Sequence, residues 1–130
     1  MKTIGGYKVH PALNLFPLME VYAFANLCSS IDNYGLIHPI ILKDGVLIDG
    51  RLRLMAAIKL NTKYKEENNS RRIIIPTVEL SDDIENVTDY IFNININRSH
   101  LTPDQANDIY KGYLPVIAKE RKRTKTNPVK

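Results

Sequence analysis

The sequence predicts an α+β fold, a small sheet with an Asp44-Gly45 hairpin packed by helices and followed by further helices. Short apolar and β-branched runs stand between longer stretches of helical period, with no internal repeat. Asp44-Gly45 separates Pro39-Ile40-Ile41-Leu42 from Val46-Leu47-Ile48, the strongest short-range hairpin signal a sequence carries. Thr102-Pro103-Asp104-Gln105 has the form of a capping box, with proline at the first helical position where its missing N–H costs nothing.

The elements follow in order. Lys8-Val9-His10 is extended and stops at Pro11, and Pro17 marks a helix start. From Leu18 the apolar residues Val21, Tyr22, Ala25, Cys28 and Ile31 recur at helical spacing until Gly35 stops the helix. After the hairpin, Leu52, Leu54, Met55, Ala56, Ala57, Ile58 and Leu60 form a short, mostly buried helix that begins directly after Gly50. Residues 61–72 are polar without an apolar period and read as an exposed loop. Ile73-Ile74-Ile75 resumes a strand, which Pro76 places at an edge or bulge and Thr77 to Leu80 continues. Ser81 and Asp82, with Glu85, cap a helix that carries Ile84, Val87, Tyr90 and Ile91 inward and ends among Asn93 to Asn97. In the helix after Thr102, Gly112 and Pro115 predict a kink or break before Val116.

Composition narrows the class. A chain of 130 residues is the size of one compact domain. With 44% hydrophobic and 25% charged residues it reads as globular, and with no apolar run of spanning length and no signal-peptide core it reads as cytosolic, with no membrane partner. Cys28 alone forms no internal disulfide, and the three histidines are too scattered to predict a metal site. The net charge of +4 is concentrated at one end. Residues 119–130 hold Lys119, Arg121, Lys122, Arg123, Lys125 and Lys130 against Glu120, which leaves the preceding 118 residues at −1. Such an end either meets DNA phosphates or is a solvated helix terminus.

The segment with most chemistry is Leu47-Ile48-Asp49-Gly50-Arg51-Leu52-Arg53. The first amides of a helix have no partner in the helix and the dipole is positive there, so a glycine turn that feeds a helix is a natural anion seat. Arginine adds charge and can grip phosphate oxygens in pairs. Arg51 and Arg53 diverge by about 200° at ~100° per residue, so one of them faces the seat, and Arg53 is the better placed. Taken alone, Asp49-Gly50-Arg51 also reads as a plain turn with solvated arginines.

Taken in order, His10-Pro11, Leu15-Phe16-Pro17, Gly35-Leu36-Ile37-His38-Pro39-Ile40, Asp49-Gly50-Arg51-Leu52-Arg53 with Ala56, and Asn95-Ile96-Asn97-Arg98-Ser99-His100-Leu101-Thr102 resemble the amino-terminal domain of the ParB/sulfiredoxin-like superfamily. Phage- and plasmid-borne ParB-like proteins are the nearest in pattern. The resemblance covers roughly residues 8 to 120. It implies a small mixed sheet and a nucleotide, CTP or ATP, with or without magnesium. Carried over by position, it places Gly35, Leu36, Pro39 and Ile40 at the base or ribose, Gly50 and Arg53 at the phosphates, and Asn95 and Arg98 at the triphosphate, while Arg51 is a phosphate candidate through its charge at the helix start. It also implies residues 1–101 as the nucleotide-binding domain and 102–130 as a helical extension with a basic tail, which in relatives leads into a helix-turn-helix.

Departures from the family pattern bear on activity. Arg51 stands where partition proteins carry an acid, Leu52 where they carry an arginine, and Ile94 where an acid precedes the asparagine. Sulfiredoxin needs a cysteine at the Arg51 position, so that reaction is not expected. Free-serine kinases of the superfamily use a glutamate and an aspartate at places comparable to Glu20 and Asp49. Those two also read as a first-turn acid and a turn aspartate. His100 stands where either a phosphate-contacting or acid-base role or a structural one fits. Two functions are therefore expected to compete. One is a nucleotide-binding, DNA-associated regulatory or partition-type domain with a homodimer possible, and the other a small phosphoryl-transfer enzyme or nuclease.

Overall fold

The computed structural model describes residues 2–98 and 101–126, with side chains through Lys119. It divides into two compact units, Met1–His10 with Pro17–Ser81, and Pro11–Phe16 with Asp82–Lys130.

The first unit is built on a five-stranded mixed sheet in the order β1-β2-β4-β3-β5, comprising β1 Thr3–Ile4, β2 Tyr7–Val9, β3 Ile40–Lys43, β4 Val46–Asp49 and β5 Thr77–Glu79. β1 and β2 are antiparallel, as are β3 and β4, whereas β2–β4 and β3–β5 run parallel. The Asp44-Gly45 hairpin forms as expected. Asp44 at φ 50° and Gly45 at φ 80° are both left-handed, as the tight turn that matches strand twist requires. β4 is the middle strand, so its continuous run is buried on both faces, with Leu47, Ile48 and Asp49 all inside. A register shift between Ile41 and Leu42 sets Asp49 opposite Ile41.

Two helices complete this unit. α1, Val21–Tyr34, begins three residues later than Leu18 because Glu20 caps it, its carboxylate accepting from the amides of Tyr22 and Ala23. α2 spans Arg51–Glu66, so the first half of the expected 61–72 loop is helix. Tyr64 explains the difference. It lies four residues after Leu60 and seven after Ala57, on the same buried face, and packs with Ile31, Leu36 and Ile73. Its hydroxyl donates to Asp32, whose carboxylate also takes a 2.7 Å bond from Arg71 Nη1, and the Arg71 guanidinium lies 5.2 Å over the Tyr64 ring. Asn61 bonds both backbone groups of Ile73. With its polar groups satisfied by that asparagine, Ile73 stays outside the sheet, and the strand begins only after Pro76, at the sheet edge.

In the second unit, α3 runs Val87–Ile96 and α4 runs Pro103–Thr126, and both pack with a 3-10 turn at Pro11–Leu15. The cap of α3 is Asn86, which accepts from the Asp89 amide, rather than Asp82 with Glu85. Ile91 is buried as expected, and Thr88 is buried beside it. The capping box of α4 forms reciprocally, at 3.0 Å from the Thr102 amide to Gln105 and 3.2 Å in return. α4 is continuous through Gly112 and Pro115, against the expected break. Ile109 and Ile117 are buried on either side, which offsets the one backbone bond that Pro115 cannot donate. Gly112 earns its place by contact: a Cβ there would stand 2.6 Å from Leu15 Cδ2. Phe92 stacks with Tyr113 at 4.2 Å between centroids, and the Tyr113 hydroxyl donates to Asp89.

Candidate functional site

Gly50 is the residue from which the site is built. It ends the middle strand and caps α2 at φ 94° and ψ 22°, with no side-chain cap bond. Only glycine holds that conformation without strain. Space restricts it as well, because a Cβ would lie 2.9 Å from Ile40 Cγ2, 3.1 Å from Ile40 Cα and 3.1 Å from Arg53 Nη2. The turn is thus pressed against the start of β3. Gly50 itself is buried, while Arg51, Leu52 and Arg53 are half-buried, so the accessible face of the turn is the first turn of α2. The first i→i−4 bond of the helix runs from the Leu54 amide to Gly50 O at 2.9 Å, and the amides ahead of it lie outside the helix ladder.

Arg53 closes the arrangement. Its Nη2 donates to the Pro39 carbonyl at 3.0 Å and stands 3.8 Å from Asp49 Oδ2. Its Nε is buried without a hydrogen-bond partner among the described residues. Asp49 is 4% exposed, a consequence of its place at the end of the middle strand. Burial pushes the guanidinium of Arg51 below its ordinary pKa, since charge is less well solvated there. The first unit therefore brings Pro39, Ile40, Asp49, Gly50 and Arg53 into one cluster. Two segments ten residues apart in sequence, separated by the hairpin, meet at the start of one helix.

The remaining sequence candidates fall as follows. Gly35 follows α1, and its amide donates to Ile31 O. Leu36 points into the core with Ile31, Ala57 and Ile73. Glu20 spends both carboxylate oxygens on the start of α1. Asn95 and Arg98 belong to the second unit, where the Asn95 side chain donates to Ile91 O at 2.8 Å and Arg98 is exposed just past α3. His100 lies outside the described residues. Lys119 is exposed on α4, and the backbone of α4 carries Arg121, Lys122, Arg123 and Lys125, whose side chains lie outside the described residues. Sequence reasoning missed the Arg53–Pro39 contact. The spacing of two arginines on a helix shows which of them turns toward the preceding strand, but not which carbonyl it meets.

The polar groups at the turn are the helix-start amides and the Arg53 guanidinium. Among the described residues no three of His, Cys, Asp and Glu stand together. Among those residues, no helix is long and apolar enough to cross a membrane.

No protein-family model matches the chain, and no curated protein matches it. Among solved structures it is similar to a Pnob8-like ParB-N domain, determined in a C2221 crystal form, with a TM-score of 0.60 and 21% sequence identity. The likeness covers 93% of this chain and 46% of that one, so this chain spans less than half the length of the other. Five strands in a mixed sheet, four helices and this likeness together establish that the chain has a ParB-like fold.

Proposed function

We propose that this chain is the nucleotide-binding module of a ParB-like, DNA-associated protein, with nucleotide phosphate seated at the first turn of α2. The observation that carries the proposal is the packing of Gly50 on Ile40 with Arg53 joined to Pro39, which draws together two segments that sequence likeness independently associates with a nucleotide. Helix-start amides supply donors, the dipole supplies a positive field, and Arg53 adds a guanidinium that is already positioned. When bound, the nucleotide supplies the negative charge that these groups neutralise. Magnesium, where required, arrives with the triphosphate. The basic end of α4, from Lys119 to Lys125, supplies phosphate contacts to DNA without base reading.

Calorimetry with CTP, ATP, GTP and ADP, with and without magnesium, tests the proposal. At least one nucleotide binds the wild-type protein, and Arg53→Ala weakens that binding at least tenfold, the loss of one charge-assisted contact of about 1.5–3 kcal/mol. Absence of binding under every condition overturns it. Retention on a DNA column that falls steeply with salt, with nucleotide recovered intact, distinguishes this function from phosphoryl transfer.

A further inference from the structure

We infer that two copies of this chain meet at the start of α1, the Tyr22 side chain of each entering an apolar groove on the other. α1 carries a single charged residue, Asp32, in a chain that is 25% charged. At its start Leu18 is 60% exposed, and Val21 and Tyr22 are each 78% exposed. Loss of charge together with exposed tyrosine and methionine marks the middle of a protein interface rather than a solvated helix face. Met19, also exposed, belongs to the same patch.

These residues border a groove of about 230 Å3 between α1 and α2, walled by Met19, Val21 and Phe24 on one side and by Leu52 and Met55 on the other. Tyr22 stands beside the groove without lining it, so one face offers both a projecting ring and an apolar slot. A two-fold contact requires this self-complementarity, because what one copy presents the other must receive. The charges agree with it. Among the described residues Lys59 is the one charged side chain lining the groove, at the end remote from Leu18. Its ammonium lies 5.7 Å from the Phe24 ring and has no ion pair among the described residues. Glu20 stands at the opposite end, where its carboxylate accepts from the Tyr22 and Ala23 amides and keeps its charge. An antiparallel crossing of the two α1 starts turns Glu20 of each copy toward Lys59 of the other, so opposite charges flank the two tyrosines.

The area sets the strength. An aromatic side chain carries about 150–250 Å2, most of which Tyr22 leaves in water, and with its neighbours the patch reaches several hundred Å2, large for a monomer surface. Two such patches face to face bury on the order of 1,000 Å2, the lower bound for a specific interface. The pair is therefore weak and reversible, and it forms without nucleotide at the α2 turn.

Sedimentation equilibrium of the whole chain without nucleotide, from about 1 μM to about 500 μM, tests this. Wild-type protein passes from one copy to two within that range and stops at two, as a closed two-fold pair must. Tyr22→Ser removes an exposed ring and weakens the pair about tenfold or more. Lys59→Glu sets two acids together at each end and weakens it about threefold or more, and adding Glu20→Lys restores it to within about twofold of wild type. Circular dichroism checks that the double variant keeps α1, since lysine cannot accept the cap bonds. If it does not, Lys59→Met decides: wild-type affinity falls with salt and that of Lys59→Met does not. A wild-type monomer at every concentration, growth beyond two copies, or a pair that Tyr22→Ser leaves unchanged overturns the proposal. So does a folded double variant that fails to recover, or an equal salt dependence with and without Lys59.

Discussion

Arg53 donates to the main-chain carbonyl of Pro39 across fourteen positions of sequence, at 3.0 Å, and this bond links the start of β3 to the start of α2. Arg53→Met keeps most of the aliphatic stem and leaves the partly buried carbonyl without its donor. The expected loss is about 1–3 kcal/mol, read as a lower urea midpoint at unchanged slope. A variant as stable as wild type contradicts a structural role for the bond.

Two glycine-to-alanine changes are expected to differ in sign. At Gly50 the new methyl meets the Ile40 backbone and φ is 94°, so Gly50→Ala costs roughly 1–3 kcal/mol from backbone strain, with more from the clash. At Gly112 the methyl meets only the end of the Leu15 side chain, within a helix. A rotamer change there relieves the contact, and the gain in helix propensity of up to about 1 kcal/mol makes Gly112→Ala neutral or stabilising. Thermal melts of both variants check the pair.

The Asp32–Tyr64–Arg71 cluster gives stability a dependence on pH at both ends. The hydrogen bond from Tyr64, followed by the charge of Arg71, holds the Asp32 carboxyl below its ordinary value against partial burial. A lowered carboxyl contributes stability that is complete above about pH 4 and is lost as pH falls through the folded-state value. Tyr64 is shifted upward, first by its bond to Asp32 and then by burial, so its contribution is complete below about pH 10 and lost as pH rises through its own folded-state value. Asp32→Asn flattens both limbs of a plot of urea midpoint against pH.

The capping box of α4 is a local test of the second unit. Thr102→Ala removes the bond to the Gln105 amide and costs about 1 kcal/mol. Hydrogen exchange should show faster opening at the start of α4.

What was legible in the sequence divides by the range of the interactions involved. The Asp44-Gly45 turn and the Thr102 box depend on neighbours within three residues, and both stand where local chemistry put them. The Gly50 turn and its helix were legible for the same reason. The length of α2 was not, because a polar stretch gains its helix from one buried tyrosine and from partners at Asp32 and Ile73 that are far away in sequence. The Gly5-Gly6 turn joining β1 to β2 leaves no such signal, since strands of two and three residues carry no periodicity. Pro115 signals a break in sequence, but the burial of Ile109 and Ile117, a tertiary effect, outweighs one missing hydrogen bond. At the candidate site, Gly50 and Arg53 were visible as a turn and a charge. The buried state of Asp49 was not, because it follows from β4 being the middle strand.

The central claim, that nucleotide phosphate sits at the first turn of α2, is most directly tested by amide chemical-shift perturbation on isotope-labelled protein titrated with CTP and ATP. The largest saturable shifts are expected at the backbone amides of Arg51, Leu52 and Arg53, reduced or absent in Arg53→Ala. Saturable shifts confined to other residues, with those three amides unmoved, would contradict it.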